Sequence, residues 1–181
     1  GKRQITCGLA EVLKYGLIWD YDFFEFVSGN IDRIYSLDAD VLLKIVNRSV
    51  EIKEKIVRED LYDRGIRQIL NFGHTIGHSI ESYFNFSKFN HGEAVTLGMI
   101  YESFIAKELE LIDEKYFNDI YGILKSIVAP IKFSCDQVEN LYRIMKNDKK
   151  NINSEIVFIL PIDRGKVSMF TDVDEKIIFD V

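Results

Sequence analysis

The chain has 181 residues, 47% of them apolar and 29% charged, which suits one folded domain and excludes a disordered segment. Its 23 basic and 29 acidic side chains leave a formal charge of −6, so nucleic acid is not an expected partner and any bound anion must be held by local clustering. There is no apolar run of membrane-spanning length, no basic-then-apolar signal pattern is read in the given residues, and Cys7 and Cys135 suit neither a disulfide framework nor a thiolate zinc site; a reducing cytoplasm is the expected compartment.

Taken in chain order, helical periodicity dominates the first four-fifths of the sequence. Pro130 and Pro161 are its only prolines, which permits long helices before them. Leu9 to Lys14 predicts a helix running on towards Trp19, and Asp22 to Val27 a shorter one. Asp38 is placed to cap a long helix ending near Asp60. After a polar connection to Gly65, an apolar-periodic run covers Ile69 to Phe84, followed by a loop at Asn85 to Asn90. Asn90 is a cap for a helix from His91 to Leu111, and Asp113 for another reaching Val128. Ser134 and Gln137 have capping-box spacing for a helix towards Met145. Ile156 to Leu160 reads as a strand, and Val167 to Phe170 as its hairpin partner across a turn containing Gly165. The expected fold is mainly α, a multi-helix domain with a small β-hairpin near its end.

One segment carries polar residues where a core stripe would normally stand. Read as helix, Arg67, Asn71, His74, His78 and Glu81 fall 4, 3, 4 and 3 residues apart, on one face of an otherwise apolar run. Such a stripe either faces water or lines a polar cavity. Gly73 and Gly77 favour the cavity, because each costs a helix about 1 kcal/mol relative to Ala unless another backbone or a ligand approaches closely. All three histidines of the chain, His74, His78 and His91, lie within 18 residues. His74 and His78, spaced i, i+4, can converge like two metal ligands, but spacing alone does not say which histidines bind. Glu11 and Lys14 share a helical face in an apolar run, a pattern equally open to an ordinary surface ion pair.

Four segments together are more specific. GLAEVLKYGLIWD at Gly8 to Asp20, LNFGHTIGHSIE at Leu70 to Glu81, HGEAVTLGM at His91 to Met99 and DKKN at Asp148 to Asn151 resemble 3-dehydroquinate synthase, in that family's order and spacing. The resemblance is to the C-terminal, α-helical domain, so residues 1–181 are expected to form a single metal- and substrate-binding domain. The family's N-terminal α/β domain, which binds most of the NAD, is expected in a longer parent protein, typically a homodimer. It implies that Glu11, His74 and His91 hold a divalent metal, zinc or cobalt, with His78 in the substrate pocket. Lys14 and Lys53 match catalytic positions, Arg67 and Asn71 match positions that contact the substrate's carboxylate and hydroxyl groups, and Lys149 or Lys150 matches the one that reaches its phosphate. Asp63 departs from the Glu that many members carry before the loop glycine, which weakens that contact.

By the same resemblance the substrate is the sugar phosphate 3-deoxy-D-arabino-heptulosonate 7-phosphate. NAD takes a hydride, phosphate is eliminated, the hydride returns, and an intramolecular aldol step closes 3-dehydroquinate for the shikimate pathway. NAD is regenerated, so the reaction is that of a lyase. Two alternatives stand beside it. Another sugar phosphate cyclase, such as 2-deoxy-scyllo-inosose synthase, uses the same scaffold on a substrate without the carboxylate; a non-catalytic helical metal-binding module is the other. The isolated domain is expected to be inactive.

Overall fold

Caps written into the sequence decide where most helices begin. In the computed structural model, which describes residues 1–62, 65–147 and 155–179, Asp38 accepts from the Asp40 and Val41 N–H groups and opens α4 (Ala39–Glu59). Asn90 and Glu93 exchange reciprocal hydrogen bonds, each 2.9 Å, at the start of α6 (His91–Glu108). Asp113 caps α7 (Glu114–Ile127), and Ser134 with Gln137 forms the capping box of α8 (Cys135–Lys146). Before α4 come α1 (Lys2–Trp19), α2 (Tyr21–Ser28) and the short α3 (Ile31–Tyr35). Between α4 and α6 lie a 3₁₀ turn (Ile66–Asn71) and α5 (His74–Tyr83). The chain closes with β1 (Phe158–Asp163), antiparallel to β2 (Lys166–Phe170), and α9 (Glu175–Phe179). The mainly helical fold with a terminal hairpin is as expected, and no helix among the described residues is long and apolar enough to cross a membrane.

Helices α3 and α9 are not expected from the sequence, and three expected elements differ from their reading. The run Ile69 to Phe84 is not one helix: it breaks at Gly73, whose φ of +78° is left-handed. Glu102, fully buried on α6, accepts the Gly73 N–H at 2.6 Å and the Ile76 N–H at 3.3 Å, so a side chain from elsewhere in the chain caps α5. Arg67 and Asn71 therefore belong to the 3₁₀ turn and not to the helical row of His74, His78 and Glu81. Helix α6 stops at Glu108 instead of Leu111, because Glu110 turns left-handed (φ +56°) and the Leu111 N–H folds back onto the Ala106 carbonyl. The hairpin extends further than the apolar run suggested. A two-residue turn at Arg164 and Gly165, with Gly165 at φ +70°, lets pairing continue to Asp163–Lys166.

Helix α6 is the centre of the molecule, buried on nearly every side from Gly92 to Ala106 and packed against α1, α5, α7 and β1. Missing side chains set how closely its neighbours lie. A Cβ at Gly98 would fall 1.9 Å from the Gly73 carbonyl oxygen, and one at Gly92 would fall 2.3 Å from the Cys7 Cα. Backbone thus meets backbone on both flanks, with α5 on one and α1 on the other. The guanidinium of Arg3 adds a two-point clamp to Glu93 at 2.6 and 2.7 Å, fixing the start of α1 against the start of α6.

Candidate metal and substrate site

The two close approaches bring three polar side chains to one place. Glu11 projects from α1, His74 from the first residue of α5, and His91 from the first residue of α6. Glu11 Oε1 lies 3.7 Å from His74 Nε2 and 3.7 Å from His91 Nε2. Ligand atoms of the three residues fall within 4.8 Å of one another. Those separations are too long for hydrogen bonds. They suit a shared ion better: tetrahedral ligands at zinc bond lengths stand about 3.3 Å from one another, a few tenths of an ångström away.

Protonation and partners agree with that geometry. Lys14, only 3% exposed, donates from Nζ to Glu11 Oε2 at 2.7 Å. This is a buried charge satisfied by its neighbour, not the ordinary surface pair that spacing alone allowed. Glu11 Oε1 is buried without a hydrogen-bond partner, which is costly for a carboxylate unless a cation meets it. His74 is 12% exposed, and burial, with the Lys14 charge adding to it, pushes its pKa down to about 2. The ring is therefore neutral at physiological pH, as a ligand must be. Its Nδ1 lies 3.1 Å from the Phe72 carbonyl and so donates there, leaving the Nε2 lone pair for Glu11's side. One carboxylate and two imidazoles form a donor set that fits zinc or cobalt, and three protein ligands would leave open positions for substrate oxygens. Exposure rises from His74 through Glu11 to His91, at 43%, so the open side faces outward.

His78 stands beside this trio, its ring centroid 5.2 Å from that of His74 and 6.0 Å from that of His91. With Ser79, Glu81 and Met145 it borders a cavity of about 450 Å³ between α5 and the end of α8. Glu81, read from the sequence only as part of the polar stripe, approaches His91 Nδ1 at 3.4 Å. Glu102, which sequence reasoning missed, holds the turn that aims His74. Its signal was a lone acid inside an apolar helical run, which patterning cannot distinguish from a solvated edge.

The other expected contacts stand on α4 and the 3₁₀ turn. Lys53 is exposed on α4, and Arg67 is half-buried in the 3₁₀ turn, its Nη1 3.5 Å from the Leu61 carbonyl. Among the described residues neither bonds to Glu11, His74 or His91. Asn71, half-buried, ends the same turn three residues before His74. Lys149, Lys150 and Asp63 lie outside the described residues.

Comparison with known proteins bears on the family. Residues 8–151 match the family model described as 3-dehydroquinate synthase C-terminal. The chain is 44% identical over 177 residues to the 3-dehydroquinate synthase of Thermoanaerobacter sp. (strain X514), covering 98% of this chain and 50% of that protein. It is also 44% identical over 165 residues to that of Alkaliphilus metalliredigens, covering 91% and 46%. The chain spans about half the length of these curated relatives. Among solved structures, 2-deoxy-scyllo-inosose synthase complexed with carbaglucose-6-phosphate, NAD+ and Co2+ superposes with a TM-score of 0.79 at 26% identity, over 99% of this chain and 52% of that one. The 2-epi-5-epi-valiolone synthase of Streptomyces hygroscopicus subsp. jinggangensis, with NAD+ and Zn2+ bound, gives 0.82 over 98% and 49%, and at 22% identity bears on the fold alone. Motifs, helical architecture and sequence identity over nearly the whole chain agree: the chain belongs to the 3-dehydroquinate synthase family, in the part of it that forms the C-terminal domain.

Proposed function

We propose that residues 1–181 are the metal- and substrate-binding domain of a 3-dehydroquinate synthase, converting 3-deoxy-D-arabino-heptulosonate 7-phosphate to 3-dehydroquinate and phosphate. The observation that carries this reading is the convergence of Glu11, His74 and His91 around an otherwise unpartnered carboxylate oxygen. NAD would be held mainly by an N-terminal α/β domain of a longer, homodimeric cytoplasmic protein; relatives twice as long support the greater length alone.

A divalent ion bound here would stabilise negative charge on adjacent substrate hydroxyls, and NAD would accept and return the hydride. The chain's own residues do the rest. Lys14 donates to one oxygen of Glu11 and fixes it, so the other is aimed before any ion arrives. Arg67 can hold the substrate carboxylate through two parallel hydrogen bonds, with Asn71 beside it on a hydroxyl. Lys53 and the Lys149–Lys150 pair supply point charges for oxyanions, the pair for phosphate. His78, a helical turn from His74 and bordering the cavity, would exchange a proton with the substrate.

A second reading, a cyclase acting on a substrate without the carboxylate, is favoured by the likeness to 2-deoxy-scyllo-inosose synthase. The higher identity to the 3-dehydroquinate synthases, together with Lys53, Arg67 and Asn71, supports the carboxylate substrate. Turnover by the full-length protein with NAD and zinc decides between them. Release of phosphate from the heptulosonate phosphate, and none from glucose 6-phosphate, is expected; the reverse pattern overturns the proposal. The 181-residue chain with added NAD is expected to turn over neither.

A further inference from the structure

The two ring nitrogens of His91 face different carboxylates. Nε2 lies 3.7 Å from Glu11 Oε1, whereas Nδ1 lies 3.4 Å from each oxygen of Glu81. Two trios therefore share one imidazole: Glu11, His74 and His91, and His78, Glu81 and His91. A neutral imidazole has one lone pair and one N–H, so His91 can serve as ligand through only one nitrogen while the other donates.

We propose that Glu81 is a positioning residue that accepts the Nδ1–H of His91 and thereby commits its Nε2 to the ion held with Glu11 and His74. The inference rests on the metal reading above. Three observations set its direction. Glu81 is buried, its side chain only 10% exposed, and α5 holds it three residues after His78, so its carboxylate is fixed in place. The buried, unpartnered oxygen lies on the Nε2 side of the His91 ring, where a cation is needed, and not on the Glu81 side. His74 already shows the same disposition, with Nδ1 on the Phe72 carbonyl and Nε2 towards Glu11. His74 takes its orienting acceptor from the backbone; His91, the most exposed of the three residues, takes it from Glu81. A carboxylate behind a ligand imidazole both selects the tautomer and raises the basicity of the coordinating nitrogen.

Zinc affinity of the 181-residue chain, measured by competition with a chromophoric chelator, tests this alongside long-range ¹H–¹⁵N NMR of the histidine rings in the zinc-loaded chain. Glu81→Ala is expected to weaken zinc about 10- to 100-fold. Glu81→Gln keeps an acceptor oxygen and is expected to recover part of that loss, while Glu11→Ala loses zinc altogether. In the wild-type chain the His91 signals should show Nδ1 protonated and Nε2 metal-bound. If Glu81→Ala binds within about twofold of wild type while Glu11→Ala loses zinc, the positioning role is wrong and the metal reading stands. If Glu81→Ala and His78→Ala lose zinc while Glu11→Ala keeps it, the ion belongs to the other trio and both readings fall. Should Glu81→Ala not fold by circular dichroism, the wild-type ring assignment decides, and a metal-bound Nδ1 on His91 overturns the proposal.

Discussion

The three-helix centre and the rim around it are built on different principles. Glu11, His74 and His91 stand on α1, α5 and α6, whose spacing is dictated by backbone-to-backbone contacts at Gly92 and Gly98. Lys53 and Arg67 stand on the outer part of α4 and on a 3₁₀ turn, exposed or half-exposed. The contrast teaches a division of labour. On the proposed function, the residues that would meet an ion at a fixed distance are locked by packing, whereas the cations that would meet a larger, changing substrate sit on more open elements.

The largest expected effect comes from loosening the locked part. Gly98→Ala would force a Cβ to 1.9 Å from the Gly73 carbonyl oxygen. It should cost about 3 kcal/mol or more of stability, read by denaturant titration, and reduce zinc retention with no ligand changed. Unchanged zinc affinity in a folded Gly98→Ala chain would mean that the helix spacing does not set the site.

Next in size is the split between centre and rim. His74→Ala and His91→Ala should each lower zinc affinity at least about 100-fold, roughly 2.7 kcal/mol. Lys53→Ala, Arg67→Ala and His78→Ala should leave it within about twofold, yet raise KM or lower kcat in the full-length enzyme. Loss of zinc on removing Arg67 would erase the distinction between the two regions.

The smallest effect is a pH slope in the metal-free chain. His74 ionises near 6.5 when unfolded but is held down to about 2 when folded, because burial opposes its charge. Between those values the unfolded state binds the extra proton. Stability therefore falls as pH drops below 6.5, by at most about 1.4 kcal/mol per pH unit from this residue. Chemical denaturation from pH 7 to 5 should show a shallower decline for His74→Asn than for wild type; equal slopes would place the His74 ring in a wetter setting.

Helix starts at Asp38, Asn90, Asp113 and Ser134 were legible from sequence because a cap is a local bargain between a side chain and N–H groups two or three residues on. The cost of Gly73 and Gly77 was legible too, as a sign that some other backbone came close. What that backbone was could not be read. The break at Gly73 depends on Glu102, 29 residues away, supplying the acceptor that a neighbouring side chain would normally provide. Family resemblance named Glu11, His74 and His91 together, but spacing alone left the three histidines equivalent. Only the packing of α1 and α5 against α6 gave each ring nitrogen its own neighbour. Sequence by itself determined most of the helices, the caps at Asp38, Asn90, Asp113 and Ser134 and the residue types available for chemistry, since those follow from interactions within a turn or two. Tertiary structure alone decided which imidazole nitrogen faces which carboxylate, because contacts across 63 and 80 residues of chain (His74 and His91 to Glu11) exist only once the helices have met.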